Sequence, residues 1–131
     1  MGLDDEVGLP ALDHVQVAAP AGCEEDARRF YGELLGLVEV EKPAALQGRG
    51  GAWFALAGAQ LHVGVVLEGF APAVKAHPGL RVAGAAALRS IAARLEAAGF
   101  EVTWDSMLPG VQRFFTADPF GNRLELLALE R

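Results

Sequence analysis

A single cysteine, Cys23, in 131 residues excludes an intrachain disulfide and any Cys-rich metal site. Lysine is almost as scarce: two stand against nine arginines, and no basic block forms in a chain of formal net charge −6. Such a chain suits neither nucleic acid nor an anionic membrane, so neither is expected as a partner. No apolar run reaches bilayer-spanning length, and the start, Met1-Gly-Leu-Asp-Asp-Glu6, is acidic where a secretory signal is basic. Glu6 also stands where a myristoylation signal carries Ser or Thr. These absences leave a cytoplasmic globular protein as the expectation. What is present agrees, since 52% apolar and 21% charged residues describe a chain able to bury a core.

Residues 1–10 read as a polar lead-in ending in Pro10. Leu12 to Ala18 alternates as a strand, with Val15 and Val17 on one face and His14 and Gln16 on the other. Glu24 to Leu35 reads as a helix with an inward stripe of Ala27, Phe30, Tyr31, Leu34 and Leu35, stopped by Gly36. A short strand over Leu37–Glu41 and a Gly-rich loop over Gln47–Gly51 follow. That loop lacks the pattern and setting of a phosphate loop. Trp53–Ala57 and Gln60–Val66 form a hairpin about Gly58, with Leu61, Val63 and Val65 facing away from His62 and Gly64. Phe70 to Ala76 is a connector.

The order then starts again. His77–Val82 is a strand carrying His77, Gly79 and Arg81 on one face, Ala85–Ala98 a helix stopped by Gly99, and Phe100–Trp104 a strand. Asp105–Gly110 is a loop, and a hairpin turns on Asp118-Pro119-Phe120-Gly121, which fits a type I turn. In that hairpin Glu125 interrupts the apolar run Leu124–Leu129, and a carboxylate on a mostly buried strand needs a cation or metal opposite it. An arginine such as Arg81 or Arg113 is the plain answer.

A shift of 63 residues tests the repeat. Only five of 68 pairs are identical, about what composition alone gives, but they fall at matching places: His14 on His77, Glu33 on Glu96, Gly36 on Gly99, Gly58 on Gly121 and Leu61 on Leu124. The same shift sets His62 on Glu125. Each half therefore reads β-α-β-β-β, with modules of about 11–68 and 74–131 in a single domain 11–131. His14, His62, His77 and Glu125 occupy the first and last strands of both halves, opposite the apolar faces. A mixed His/carboxylate set of this kind suits a divalent Zn, Fe, Ni, Mn or Co ion. Trp53, Phe54, Phe114 and Trp104 are expected in the core, and Asp118, Gly121 and Asn122 in turn geometry.

The segments Leu12-Asp-His14-Val, Ala27–Leu37, Gln60-Leu-His62-Val, His77–Val82, Leu95–Val102 and Asp118–Leu126 together resemble the vicinal oxygen chelate superfamily, the glyoxalase/bleomycin-resistance/dioxygenase family. The resemblance implies an α+β fold of two βαβββ modules curled into a half-barrel, a homodimer, and metal ligands at His14, His62, His77 and Glu125. It also implies a lyase or isomerase of glyoxalase type that stabilises an enolate or oxyanion on an oxygen-rich small metabolite. In that reading Glu125 doubles as the proton-moving group, and Gln16, Arg81 and Arg113 contact substrate. The family offers two other readings. One is a non-catalytic, bleomycin-resistance-type binding protein; the other is an extradiol iron dioxygenase, which usually needs a longer chain.

Overall fold

A computed structural model describes residue 8 and residues 11–130. Apart from Gly8, the expected lead-in and the Met1–Gly2 reading lie outside the described residues. The fold is α+β, as the resemblance implies. Two four-stranded mixed sheets follow one plan. The first runs β1(His14–Pro20), β4(Ala59–Val66), β3(Ala52–Leu56), β2(Glu39–Val40); the second runs β5(Gly79–Arg81), β8(Arg123–Leu129), β7(Val111–Ala117), β6(Thr103–Asp105). The first strand of each sheet lies parallel to the last, and the remaining pairings are antiparallel. Among the described residues no helix is long and apolar enough to cross a membrane.

Alternation assigns the faces. Val17, Ala19, Phe54, Leu61 and Val63 in one sheet, and Phe114, Leu124, Leu126 and Ala128 in the other, are buried on the sides the helices cover. Helix α2 (Ala85–Ala97) adds Leu88, Ile91, Ala92 and Leu95 to the same core. Each fully buried aromatic or leucine side chain there contributes about 1.5–3 kcal/mol.

The first helix departs from expectation in an informative way. Only α1 (Glu24–Ala27) is α-helical; Arg28–Leu34 is wound as a π-helix, with Leu35 N–H donating to the Phe30 carbonyl at 2.9 Å. Phe30–Tyr31 and Leu34–Leu35 are adjacent bulky pairs on the inward stripe. The wider turn leaves all four buried. Other bounds shift for local reasons. Pro78 has no N–H to give a ladder, so the strand expected from His77 starts at Gly79. The strand placed at Phe100–Trp104 is Thr103–Asp105, that at Leu37–Glu41 shrinks to Glu39–Val40, and part of the Gly-rich loop is a 3-10 helix, Ala44–Arg49.

The repeat is exact in one pairing and slips in the next. Gln16 lies opposite His62, and 63 residues on Gly79 lies opposite Glu125. In the hairpins Trp53 faces His62 and Phe115 faces Glu125, a shift of one less. Each half therefore sets an aromatic beside the ligand-type residue of its last strand.

The type I turn is present and carries more than its own geometry. The Gly121 N–H donates to the Asp118 carbonyl at 3.0 Å, and the Phe120 and Asn122 N–H groups donate to Asp118 Oδ1 at 2.9 Å. Asp118 Oδ2 accepts the Tyr31 hydroxyl at 2.7 Å. Asn122 donates to the Ala18 carbonyl at 2.7 Å and accepts from the Ala73 N–H at 3.0 Å. This turn thus latches the first helix, the first strand and the connector together. Burial, reinforced by the Asp118 charge, pushes the Tyr31 hydroxyl well above its ordinary pKa, so it stays a donor. Tyr31→Phe should lower the unfolding free energy by about 1.5–3 kcal/mol. Urea denaturation reads this as a lower midpoint at unchanged slope; an unshifted midpoint would show that the hydroxyl adds nothing.

Candidate metal and substrate site

On the faces away from the helices the ligand-type residues fall into two pairs. In the first sheet β4 lies between β1 and β3, which brings His62 beside His14 and Trp53. The His14 and His62 rings are stacked at 4.5 Å between centroids and 17°, and Trp53 stacks on His62 at 3.8 Å and 3°. His62 is buried while His14 is exposed. His14 Nδ1 lies 2.8 Å from Asp13 Oδ2, and His62 Nε2 lies 2.8 Å from Gln60 Oε1. Burial holds the His62 imidazole below its ordinary pKa and the neighbouring His14 adds to this, against a smaller opposing effect of Asp13. A neutral ring is the form that can ligate.

In the second sheet His77 Nε2 lies 3.1 Å from Glu125 Oε1, while its Nδ1 lies 2.9 Å from the Lys75 carbonyl. A carbonyl only accepts, so Nδ1 carries a proton. Nε2 then meets a carboxylate, which requires either a second ring proton or a cation between the two. Glu125 Oε2 accepts from Arg113 at 3.3 Å, and Arg113 also lies 3.5 Å from Asp105. The buried Arg113 Nε has no hydrogen-bond partner among the described residues. The cation that the Glu125 position demanded is therefore Arg113, with His77 beside it.

By donor type and by tautomer these residues fit a divalent ion. Metal-bound imidazoles hand their second N–H to a carboxylate or carbonyl, as His77 does to Lys75 and as the His14–Asp13 contact allows. The His14 and His62 rings lie nearly parallel, 17° apart, as one pair on the first sheet. Among the described residues of one chain no three His, Cys, Asp or Glu side chains gather into a metal-sized group. The four residues come together two by two.

The expected substrate contacts divide. Gln16 lies flat on Gly64, where an added Cβ would come within 2.7 Å of its amide carbon. Arg81 is exposed at the free edge, opposite Leu127. Arg113 is engaged inside the protein. A hollow of about 430 Å³ runs along β1 to His77 and is lined in part by Gln16, Asn122 and Arg123.

Of the aromatics expected in the core, Phe54 and Phe114 are there at 0% exposure, but Trp104 is 47% exposed and Trp53 lies on the ligand face. Phe115 and Arg123 were overlooked: the Arg123 guanidinium sits 4.1 Å from the centre of the Phe115 ring, which also meets His77 edge-on at 5.6 Å. Strand parity could have found both, since Phe115 and Arg123 share a face with Glu125.

The chain belongs to the Glyoxalase/Bleomycin resistance protein/Dioxygenase superfamily, whose model matches residues 11–126. Among solved structures it is similar to a protein from Bacillus anthracis assigned to the glyoxalase family: 44% identity, 93% of this chain and 97% of that one covered, TM-score 0.86. Lactoylglutathione lyase from Agrobacterium tumefaciens shares the fold at 17% identity, with 90% and 92% covered and TM-score 0.69. TnmS3, an antibiotic binding protein from Streptomyces sp. CB03234, does so at 21%, with 95% and 99% covered and TM-score 0.70. No curated protein gives a sequence match.

Proposed function

We propose that this protein is a divalent-metal-dependent lyase or isomerase of glyoxalase type acting on a small oxygen-rich metabolite. The observation that carries the reading is the His77–Glu125 contact, in which a carbonyl-pinned tautomer turns its free nitrogen toward a carboxylate. A structural or catalytic site needs three or four protein donors, and one sheet supplies two. His14 and His62 of one copy, with His77 and Glu125 of a second, complete the set. A two-fold dimer repeats this arrangement, making two sites.

A divalent ion held there supplies Lewis-acid stabilisation of an enolate or oxyanion. The remaining chemistry falls to the side chains. Glu125 takes and returns the proton at its carboxylate, and Arg113 holds that carboxylate in place through Oε2. Trp53 shields the His62 ring from water and fixes its plane. Gln16, on the register partner of His62, offers a neutral amide to the substrate.

Metal-stripped protein titrated with Zn, Ni, Co, Mn or ferrous ion should take up one ion per chain. Glu125→Gln keeps the side-chain volume and an acceptor for Arg113 while removing the charge, and should weaken uptake by about a hundredfold or more. Equal uptake by the variant and the wild type would exclude Glu125 as a ligand.

A second reading has its own observation. Glu125 already has Arg113 as its counter-cation and His77 within hydrogen-bond distance, so its carboxylate has partners with no ion present. A binding protein that sequesters a small molecule in the same place would take up no metal and would return its ligand chemically unchanged.

A further inference from the structure

A cavity of about 260 Å³ lies on the first sheet beside the paired imidazoles, under the 3-10 helix Ala44–Arg49. Gln16, Gly64 and Trp53 line it together with Lys42 and Arg49, and no Asp or Glu does. In a chain with 17 acidic and 11 basic residues, two cations share one hollow with no acid in its wall. Neither has an ion-pair partner among the described residues. Lys42 donates to the Gly50 carbonyl, which uses one of its three N–H bonds. Glu24 approaches behind Gly50, but its carboxylate accepts the Gly51 N–H and the Cys23 thiol.

The loop is built to hold the cations there. Gly50 and Gly51 take φ of 76° and 83°, reversing the chain straight from the 3-10 helix into β3, so that Arg49 stays at the rim. Phosphate sites on glycine-rich loops rely on free backbone N–H groups at a helix N-terminus. Here the glycines follow the helix end, and the Gly51 N–H is spent on Glu24. What remains for an anion is side-chain charge, a planar Arg fork and a Lys that can pair a carboxylate without the N–H cradle on which glycine-loop phosphate sites rely.

We propose that this cavity binds the carboxylate of a small anionic substrate, with Lys42 and Arg49 as its specificity-determining residues. Trp53 and Gln16 are both register partners of His62, so a molecule anchored by its carboxylate extends toward the candidate metal ligands. The inference names the substrate class for the function proposed above and rests on that reading for its chemistry, but not for the binding itself.

The test is a calorimetric titration of EDTA-treated protein with malonate, with malonamide and inorganic phosphate as controls. Trp53 fluorescence in a Trp104→Phe background gives a second readout. Malonate should bind saturably, malonamide not at all, and phosphate more weakly than malonate. Lys42→Met and Arg49→Met should each weaken malonate by about tenfold, Arg49→Lys by no more than about threefold, and raised salt should weaken all of them. Circular dichroism confirms that each variant is folded. Absence of malonate binding in both readouts overturns the proposal, as does tighter binding of phosphate or wild-type affinity in both Met variants. Because no metal is present, malonate binding without metal uptake would sink only the metal reading. Metal uptake without malonate binding would sink only this one.

Discussion

Mixing His62→Gln with Glu125→Gln protein, each unable to hold a metal alone, should restore about a quarter of the wild-type metal capacity. If a site combines the first sheet of one copy with the second sheet of another, a hybrid dimer carries one site with both lesions and one with neither. Random exchange makes about half the dimers hybrids, and half of their sites are whole. A site closed within one chain gives no recovery, because every chain carries a lesion. Denaturing the variants together and refolding them, with hybrids isolated by differing affinity tags, makes the measurement direct. Hybrids that bind no metal would rule out a shared site. Glutamine is preferred to alanine at 125 because removing the whole side chain would leave the partly buried Arg113 and His77 without the acceptor they share, at a cost of about 1–3 kcal/mol. Loss of metal in an alanine variant would then be confounded with loss of fold.

The second large effect is expected at Gly51. Its φ is 83°, and a Cβ there would lie 2.1 Å from the Val63 carbonyl oxygen, a backbone atom in the middle of the sheet. Gly58 is the control: its φ is 75°, and nothing lies within 4 Å of an added Cβ. Gly58→Ala isolates the left-handed backbone penalty, about 1 kcal/mol. Gly51→Ala adds displacement of paired backbone and of the Glu24 acceptor, so its cost should exceed about 4 kcal/mol. Thermal melts should show a drop of a few degrees for Gly58→Ala and more than about 10 °C for Gly51→Ala. Equal drops would mean that the β3–β4 ladder yields to the methyl.

Much of the frame was readable because it rests on short-range rules. The α2 boundaries, the positive-φ Gly36, Gly58 and Gly99, and the Asp-Pro-Phe-Gly turn follow from local chemistry, and the alternating strands assign the faces. The 63-residue shift placed Gln16 and Gly79 in matching registers before any pairing was known. The π-helix was not readable, because a 3.6-residue stripe and a wider one differ by a single inward position. Trp53 was misjudged for a different reason. Its neighbour Phe54 is core, and only the strand pairing tells which of the two faces His62. The partner of Glu125 was among the candidates, but choosing Arg113 over Arg81 needed the hairpin register: Arg113 reaches Glu125 from β7, and Arg81 ends up exposed at a sheet edge. The division of the four ligand-type residues into two pairs is a property of how the halves pack, which no periodicity reports.

The Asp118–Asn122 latch has a consequence for how the chain is made. Tyr31 and Asp118 are 87 positions apart, and Asn122 reaches Ala18 across 104. During synthesis the first sheet and its helix emerge long before their acceptor and donor exist. The Tyr31 hydroxyl, the β1 carbonyl and the connector N–H at Ala73 must wait in water until residues 118–122 have been delivered. The first half has the plan of a module but lacks the groups that seal it, so a turn of the second half is the one that closes the fold.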